Sequence, residues 1–517
     1  MSPALRDALA ALPELVRAHV LLSGAALLIA VAVGLPLALW AAGHRRARVP
    51  LLAAVSLVQT IPALALLALF YPMLLIVDRA APLTLPALGF LPALIALSLY
   101  ALLPIVRNAV AAREGLDPNV LEAADGVGMT RWQRLRLIEL PLGAQVLLAG
   151  IRTAAVWTIG AATLATTVGQ PSLGNLIFSG LQTEDWVRVL VGCAAAAALA
   201  ILADLLLALI ESGLARSAPR RTLSGAVLLA LALVASQLSW PASAAHDRAV
   251  IGAKNFSEQY ILAAALSDPL RAAGYGVETK EDLGSATAYR ALAAGDLDAY
   301  VDYGGTLWAN VLKRTDTPPA PVLRAALTRA LARRDGVLVL GSLGFENAYA
   351  LAMRRSRADA LHVRTLDDLA RAAPELRLGS DIEFLSRPEW RSVASAYGLR
   401  FAATPSYSPT FMYRAVADGS VDVISAFSSD GRLAALDLVT LADPRHALPS
   451  YEALLLVSPK RARDARFLVT LKPLVGAIPI DRMRAANLMV DRDADKQSPA
   501  EAARWLLRPK GQAGRRS

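Results

Sequence analysis

The chain has 517 residues, of which 55% are hydrophobic and only 19% charged, and its net charge is +10. A mean hydropathy of +0.43 is too high for an ordinary soluble protein, and the length allows several domains. The single cysteine, Cys193, excludes an intrachain disulfide and a thiolate metal cluster, and the five histidines form no HxxxH pattern. We therefore expect no metal and no cofactor. The basic residues lie beside apolar runs, which indicates membrane topology and not a nucleic-acid surface.

Six apolar runs before residue 245 are each long enough to cross a bilayer, which takes about 20 residues. Basic residues are concentrated in the loops after the first, third and fifth runs. Because cytoplasmic loops carry the excess of Lys and Arg, this alternation predicts an outside N-terminus and a cytoplasmic loop after the third run. Asp204, in the fifth run, is either functional or a structural polar contact. The six runs are residues 20–42, 51–77, 86–106, 143–168, 187–210 and 223–240.

The third loop contains the polar segment 122–141, EAADGVGMTRWQRLRLIELP. Its alanines and charged residues favour short helices, Gly128 permits a turn, and Pro141 can open the next helix. The layout resembles the EAA loop of ABC-importer permeases, which docks onto the ATPase subunit. The resemblance implies docking roles for Glu122, Ala123 and Gly128. The alternative is an ordinary basic loop.

The sixth run follows Arg220 and Arg221 and ends in small residues, like a secretory signal peptide placed in the middle of the chain. As an anchor or as a cleaved signal, it would move everything after about residue 246 across the membrane. We favour the uncleaved anchor.

From Arg248 the composition is that of a soluble domain, with short apolar runs between helical patterns. This alternation predicts βα units in a mostly parallel α/β sheet. About 260 residues are many for one sheet, so two lobes are expected. The runs are AVIGA, DLDAYVDY, GVLVLG, NAYALAMR, LRLGS, VDVISAF and EALLLVSP.

Both halves resemble one family, the glycine betaine/carnitine/choline ABC importers. Residues 15–215 resemble its permease through Gln59-Thr60-Ile61-Pro62, the Leu99–Asn108 segment and the EAA loop. Residues 248–510 resemble its substrate-binding protein through IGAKNFSEQ, LGSAT, GDLDAYVDYGGT, NAYAL, EFLSR and AFSSDGR, in the family's order. The expected fold is a helical transmembrane permease (domain 1–215), an anchor and linker (216–247), and a two-lobed periplasmic-binding-protein domain (248–510).

The resemblance implies a ligand with a quaternary ammonium, which aromatic faces attract through cation–π interaction. The candidate aromatic residues are Tyr303, Tyr349, Phe384, Tyr407 and Phe427. Arg387 and Lys254 are candidate partners for a ligand carboxylate, because a guanidinium offers a bidentate fork. For each aromatic the alternative is core packing, and for the two basic residues it is an ion pair.

The expected function is that of an importer subunit, not an enzyme, which takes up a glycine betaine, choline or carnitine type osmoprotectant. The sequence has no GxxxxGK[ST] motif, so ATP hydrolysis would come from a separate subunit. The resemblance also implies a homodimer of the permease in the bacterial inner membrane, surrounded by lipid, with an extracytoplasmic binding domain. Ergothioneine or another amino-acid betaine is an alternative ligand. A membrane-tethered solute sensor is the alternative class, and a membrane enzyme ranks last.

Overall fold

The computed structural model describes residues 3–80, 88–183, 185–216, 218–238, 247–314, 316–448, 450–492 and 495–508. The chain divides into two compact units. The first contains Leu5–Phe178 and Val187–Ala242. The second contains Ser243–Ser517 together with two short segments from earlier in the chain, Met1–Ala4 and Ser179–Trp186.

The apolar first half of the chain is helical throughout its described residues. A π-helical segment, Leu135–Glu139, joins α6 to α7, and a 3-10 segment, Thr163–Val168, follows α7. The helices are α1 (Pro3–Ala42), α2 (Arg45–Thr60), α3 (Ala63–Ala80), α4 (Phe90–Glu114), α5 (Pro118–Gly126), α6 (Arg131–Arg134), α7 (Leu140–Ala162), α8 (Gly174–Gln182), α9 (Trp186–Ala215) and α10 (Pro219–Leu238).

A sharp bend separates α2 from α3, within the second predicted run. The two helices meet at 95°, and Ile61 between them is extended, with φ −74° and ψ 125°. Pro62 explains the break, because the ring of a proline disfavours the helical conformation of the residue before it.

Four helical segments of the described chain are long and apolar enough to cross a membrane, and the bent pair α2–α3 makes a fifth if it counts as one span. Helix α10 covers the sixth predicted run but is not among them. It begins with two arginines and ends beside Gln237. The prediction of six spans therefore exceeds by at least one what the helices support. The four segments are Leu5–Ala42, Phe90–Glu114, Arg131–Val168 and Trp186–Ala215.

Close packing of α4 on α7 forms the centre of this unit. A Cβ on Gly150 of α7 would lie 2.6 Å from the Asn108 Cβ and 2.8 Å from the Pro104 carbonyl oxygen of α4. Only glycine leaves room for this approach. Asn108 also donates to that same carbonyl at 2.8 Å.

The second half of the chain alternates strands and helices. The strands are β1 (Arg248–Lys254), β2 (Gly276–Leu283), β3 (Ala299–Tyr303), β4 (Leu338–Glu346), β5 (Tyr349–Arg354), β6 (Leu378–Gly379), β7 (Val423–Phe427), β8 (Leu438–Thr440) and β9 (Glu452–Val457). The helices are α11 (Ser257–Ala272), α12 (Ser285–Ala294), α13 (Gly304–Thr306), α14 (Ala320–Asp335), α15 (Arg355–Leu361), α16 (Leu366–Ala372), α17 (Ile382–Ser386), α18 (Pro388–Tyr397), α19 (Pro409–Ala417), α20 (Arg432–Ala435), α21 (Ala465–Leu471), α22 (Ile480–Asp491) and α23 (Pro499–Leu506).

These strands form two sheets, one in each lobe. Lobe 1 has the order β2-β1-β3-β9-β4 and lobe 2 the order β6-β7-β5-β8. Only β1–β2, β1–β3 and β6–β7 pair in parallel, whereas β9 runs antiparallel to β3 and β4, and β5 antiparallel to β7 and β8. The prediction of two lobes is confirmed, but that of mostly parallel strands is wrong. The chain leaves lobe 1 after β4 and returns to it at β9. Strand β9 inserts between β3 and β4 and runs antiparallel to both.

Candidate functional site

A cavity of about 480 Å³ lies between the two lobes. The chain crosses between them twice, from β4 to β5 at Asn347 and Ala348, and again between β8 and β9. Clefts of this kind form where loops at strand ends from separate sheets face each other.

One wall of the cavity consists of three aromatic rings. Tyr349 begins β5 and pairs in register with Phe427, the last residue of β7. Their ring centroids are 5.0 Å apart, and Tyr451 approaches Tyr349 edge-on at 5.5 Å. All three line the cavity, so the structure brings together two of the predicted aromatic residues and adds a third, Tyr451.

Tyr407 also lines the cavity, from the loop beside β6. Its backbone N–H donates to the Ser380 carbonyl at 2.9 Å. A Cβ on Gly379 would lie 3.3 Å from the Tyr407 ring, so the small residue in β6 gives the ring its place. The placement agrees with the predicted site, although the local sequence similarity at Tyr407 is weak.

Phe384 lies behind the aromatic wall and is not among the lining residues. It is 1% exposed, and its ring centroid is 4.6 Å from that of Tyr349 and 5.7 Å from that of Trp390. Core packing, the alternative stated above, therefore describes Phe384 better than ligand contact. Phe384 packs against the Tyr349 ring on the side away from the cavity.

Tyr303 lines the cavity from lobe 1, but its ring and its hydroxyl are already engaged. The hydroxyl donates to Glu258 Oε1 at 2.6 Å. The Lys254 Nζ lies 4.5 Å from the ring centroid, and the Phe256 ring stacks at 6.2 Å. A ligand cation can therefore contact only the part of the Tyr303 ring that Lys254 does not cover.

Lys254 and Arg387 are both held in ion pairs with buried carboxylates. Lys254 Nζ lies 2.7 Å from Asp302, and both side chains are almost fully buried. Arg387 Nη1 lies 3.2 Å from Glu389, which also accepts a hydrogen bond from the Tyr451 hydroxyl at 2.6 Å. Each cation thus has a protein counter-ion, the alternative stated above, and contact of either with a ligand carboxylate stays a prediction.

Carboxylates are the functional groups that the sequence reasoning missed. Glu258 lies in the first matching motif, where the sequence suggests only a helix start. It accepts hydrogen bonds from Tyr303, from Asn347 Nδ2 at 3.0 Å and from Asn487 Nδ2 at 2.8 Å. Burial raises the pKa of Glu258, and no cation pairs with it among the described residues.

Asp491, at the end of α22, is a second missed carboxylate, and no sequence motif marks it. Ser257 Oγ donates to it at 2.5 Å. Burial is the main cause that raises the pKa of Asp491 from its ordinary 3.8 to about 6.

The cavity as a whole has more negative than positive groups. Each lining cation is paired with a carboxylate of the protein, Arg432 with Asp430 at 2.7 Å. Four carboxylates line the cavity and two more stand behind it, against three cations. They are Glu258, Asp381, Asp430 and Asp491, then Asp302 and Glu389, against Lys254, Arg387 and Arg432. A site with aromatic faces and excess carboxylates suits a cation that cannot donate hydrogen bonds.

The predicted docking segment in the other unit is a helix–turn–helix. Helix α5 carries Glu122 and Ala123 on its exposed side, and Gly128 turns the chain with a φ of +79°. Exposed apolar side chains flank the turn, with Val127 75% and Trp132 67% exposed. This surface fits an apolar groove on a partner.

Glu139 ties this segment to the helices above it. It is buried and lies 2.9 Å from Arg134 Nε and 3.2 Å from Arg113 Nε. Arg113, near the end of α4, also donates to the Leu39 carbonyl of α1 at 2.8 Å. These contacts connect the segment to α4 through ion pairs and, by way of Arg113, to α1 through a hydrogen bond.

Asp204 of α9 makes a structural contact. Both of its oxygens accept hydrogen bonds from Arg152 of α7 at 2.9 Å, and Arg152 also donates to Glu211 at 2.7 Å. Paired charges are the form in which ionisable residues persist in membrane helices.

The fold and the two sites define a transport protein that joins a helical permease to a two-lobed binding domain. Residues 247–508 match the family described as the substrate binding domain of the ABC-type glycine betaine transport system. Residues 34–216 match the binding-protein-dependent transport system inner membrane component. The first match covers half of the chain, which therefore belongs to the ABC-type glycine betaine transport family, with the permease component in the same chain.

Individual relatives cover either the whole chain or one half. The ergothioneine transport permease/ergothioneine binding protein EgtU of Helicobacter pylori (strain G27) is 28% identical over 92% of this chain and 86% of the relative. The glycine betaine/carnitine/choline transport system permease protein OpuCB of Bacillus subtilis (strain 168) is 36% identical over 37% of this chain and 83% of the relative. Among solved structures, a glycine betaine/carnitine/choline ABC transporter is 27% identical, with a TM-score of 0.45, over 50% of this chain and 97% of that chain.

The chain is thus a fused permease and substrate-binding component of an importer for betaine-type compounds. Its family implies an ATPase partner and a small ligand.

Proposed function

We propose that this chain takes up a quaternary ammonium compound, captured by the cleft of the binding domain and passed to the permease helices. The observation that supports this proposal is the composition of the cavity. It contains the aromatic rings of Tyr349, Phe427 and Tyr451, and its carboxylates outnumber its cations. A trimethylammonium group is bulky and weakly hydrated, so it gains from aromatic faces and from negative charge without needing a hydrogen-bond acceptor.

The binding residues of this proposal are Tyr349, Tyr407, Tyr451 and Phe427, with Tyr303 contributing one ring edge. Phe384 packs behind the aromatic wall, and Arg387 and Lys254, which line the cavity, are each paired with a buried carboxylate. The proposed domains are the permease at 1–215, the anchor at 216–247 and the receptor at 248–510.

Ergothioneine, a trimethylated histidine derivative, is a second candidate within this class. The observation in its favour is that the H. pylori relative, named for ergothioneine, resembles 92% of the chain and also joins a permease to a binding protein. Among curated relatives, permeases named for choline and carnitine cover 37–40% of this chain.

The test is a calorimetric titration of the purified full chain with glycine betaine, choline, carnitine, ergothioneine and proline. We expect at least one trimethylammonium compound to bind and proline not to bind. Binding of none of the four would contradict the substrate class. The strongest ligand identifies which candidate is right.

We further propose that transport requires a separate ATPase docked on the 122–141 segment, two copies of the permease, and a bacterial inner membrane with the receptor on the outer side. The exposed turn at Gly128 supports this over a membrane-tethered sensor, which needs no ATPase dock. Uptake by proteoliposomes should depend on both the ATPase subunit and ATP. Binding without any ATP-driven uptake would favour the sensor.

A further inference from the structure

Asp491 differs from every other carboxylate of the cavity in how it is held. It ends α22 in lobe 1, lines the cavity and remains partly exposed there. One hydroxyl, that of Ser257 at the start of α11, donates a hydrogen bond to it at 2.5 Å. A carboxylate has about four acceptor positions, so one hydroxyl leaves most of them facing the cavity.

The charged groups around Asp491 do not neutralise it. Arg432 and Asp430 face it from lobe 2, and Lys496 follows its own helix. Arg432 is committed to Asp430, with contacts of 3.0 and 2.7 Å, and its guanidinium carbon lies 4.0 Å from the Tyr413 ring centroid. Asp430 repels a second negative charge. Desolvation therefore outweighs attraction, which is why the pKa of Asp491 stands above its ordinary value.

Glu258, another carboxylate of the cavity, is enclosed by protein donors. Tyr303, Asn347 and Asn487 occupy its two oxygens, and the residue is 3% exposed. These donors shield the Glu258 carboxylate from a ligand, whereas the Asp491 carboxylate can contact one.

Resting on the proposed function, we infer that Asp491, positioned by Ser257, supplies the negative charge that faces the cationic group of the ligand and makes the cavity select a cation over a neutral molecule of the same shape. Aromatic faces favour the cation over a neutral tertiary-butyl group through cation–π attraction, and a facing carboxylate adds to that preference. A partly desolvated carboxylate gains strongly from a nearby cation, since its attraction is screened less than in water.

The test compares two ligands that differ only in charge. Choline and its carbon isostere, in which carbon replaces the quaternary nitrogen, are titrated calorimetrically into the full chain in detergent at neutral pH. Glycine betaine and its carbon isostere form a second pair. We expect the wild-type chain to prefer the cation, and Asp491→Asn to reduce this preference about tenfold or more, which corresponds to about 1.4 kcal/mol. Ser257→Ala should reduce it less, because only the position of the carboxylate is loosened.

Asp481→Asn is the matched control. Asp481 belongs to the same helix, α22, and its side chain is 90% exposed. This variant removes one carboxylate from α22 outside the cavity, so the preference for the cation should stay at the wild-type value.

A second measurement needs no variant. Choline has no group that titrates near neutral pH, so the affinity of the wild-type chain should fall as the pH is lowered through about 6, where Asp491 takes up a proton. In Asp491→Asn this dependence should be much weaker, leaving only what Glu258 contributes.

The outcomes separate the inference from the function on which it rests. A wild-type chain that prefers the cation, with an Asp491→Asn variant that keeps the same preference and the same pH profile, overturns the role of Asp491 alone. A wild-type chain that never prefers a quaternary ammonium over its isostere overturns both. Thermal unfolding of each variant verifies that the binding domain is folded.

Discussion

At the scale of single residues, the aromatic side chains of the cleft divide into those that line the cavity and one, Phe384, that packs behind them. Replacing Tyr349 or Phe427 with Ala removes a cavity wall, and we expect each to weaken a quaternary ammonium ligand by about 1–2 kcal/mol. Tyr349→Phe keeps the ring and should bind nearly as well. Calorimetry on the full chain measures all three.

Phe384→Ala should act first on stability. The residue is 1% exposed and packs against Tyr349, so truncation leaves a cavity at a cost of about 3–5 kcal/mol. The measurement is the unfolding midpoint of the binding domain beside ligand affinity. A stable Phe384→Ala protein with a large loss of affinity would return Phe384 to the binding site.

Arg387 gives a prediction opposite to the one its sequence motif suggests. Arg387→Ala removes the cation from the buried Glu389, to which the Tyr451 hydroxyl still donates a hydrogen bond. Removing one partner of a buried ion pair typically costs about 3–5 kcal/mol. We therefore expect a lowered unfolding midpoint and similar losses of affinity for choline and for carboxylate ligands. Arg387→Met combined with Glu389→Gln should recover part of the stability. A selective loss of carboxylate ligands in a stable Arg387→Ala protein would instead place Arg387 in contact with the ligand.

Asp491 makes stability depend on pH in a definite direction. Its pKa is raised in the folded chain from 3.8 to about 6, so between these values the folded state binds more protons than the unfolded state. Stability from this group therefore falls as the pH rises through that window. Asp491→Asn should unfold at a higher temperature than wild type above about pH 6, and the difference should shrink towards pH 4. A constant difference across this range would contradict the raised pKa.

Residue-level prediction from sequence chose residues that line the cavity where a motif fixes a strand end. Tyr303, Tyr349 and Phe427 stand at the ends of strands in matching motifs, and the fold brings those ends to one cavity. It missed Asp491 because that residue ends a helix far along the chain and reaches the cavity only through packing of α22 against the loop after β7. Whether a charged residue finds a counter-ion is also a property of packing, so the motifs of Lys254 and Arg387 do not determine their ion pairs with Asp302 and Glu389.

At the scale of elements, Gly128 determines whether the docking segment can form its turn. Its φ of +79° is open to glycine, tolerated by asparagine and impossible for proline. No atom lies within 4 Å of a Cβ built there, among the residues that the structure describes, so the cost of substitution is conformational. We expect Gly128→Pro to abolish uptake and Gly128→Asn to retain most of it, while both bind ligand normally. Transport at the wild-type rate by a correctly inserted Gly128→Pro chain would show that this turn is not the ATPase dock.

Among the elements, the hydrophobic runs predicted helices and strands well but not their pairing. All seven apolar runs of the second half contain strands, whereas β2 and β8 lie outside them. The sequence of β2, GVETKEDL, lacks a continuous apolar run. Strand direction depends on where the chain re-enters a lobe, and that is not encoded in any single run.

At the scale of the whole molecule, the alternating basic loops predict which ends of the chain lie outside the cytoplasm. The number of spans decides the side on which the receptor lies, because α10 connects the permease to the receptor. Helix α10 has two arginines near its start and a short apolar stretch. If it crosses the membrane, the binding domain is outside and can capture solute there; if it lies along the surface, the receptor would face the cytoplasm and import would be impossible.

We expect a phosphatase reporter, active only outside the cytoplasm, to be active after residue 246 and at the N-terminus, and inactive in the 111–120 loop. A green fluorescent reporter at the same positions is the matched control and should give the reverse pattern. Replacing Arg220 and Arg221 with Glu should reduce correct insertion of α10, since positive charges hold its start inside. An inactive phosphatase after residue 246 in the wild-type chain would overturn both the topology and the location of the receptor.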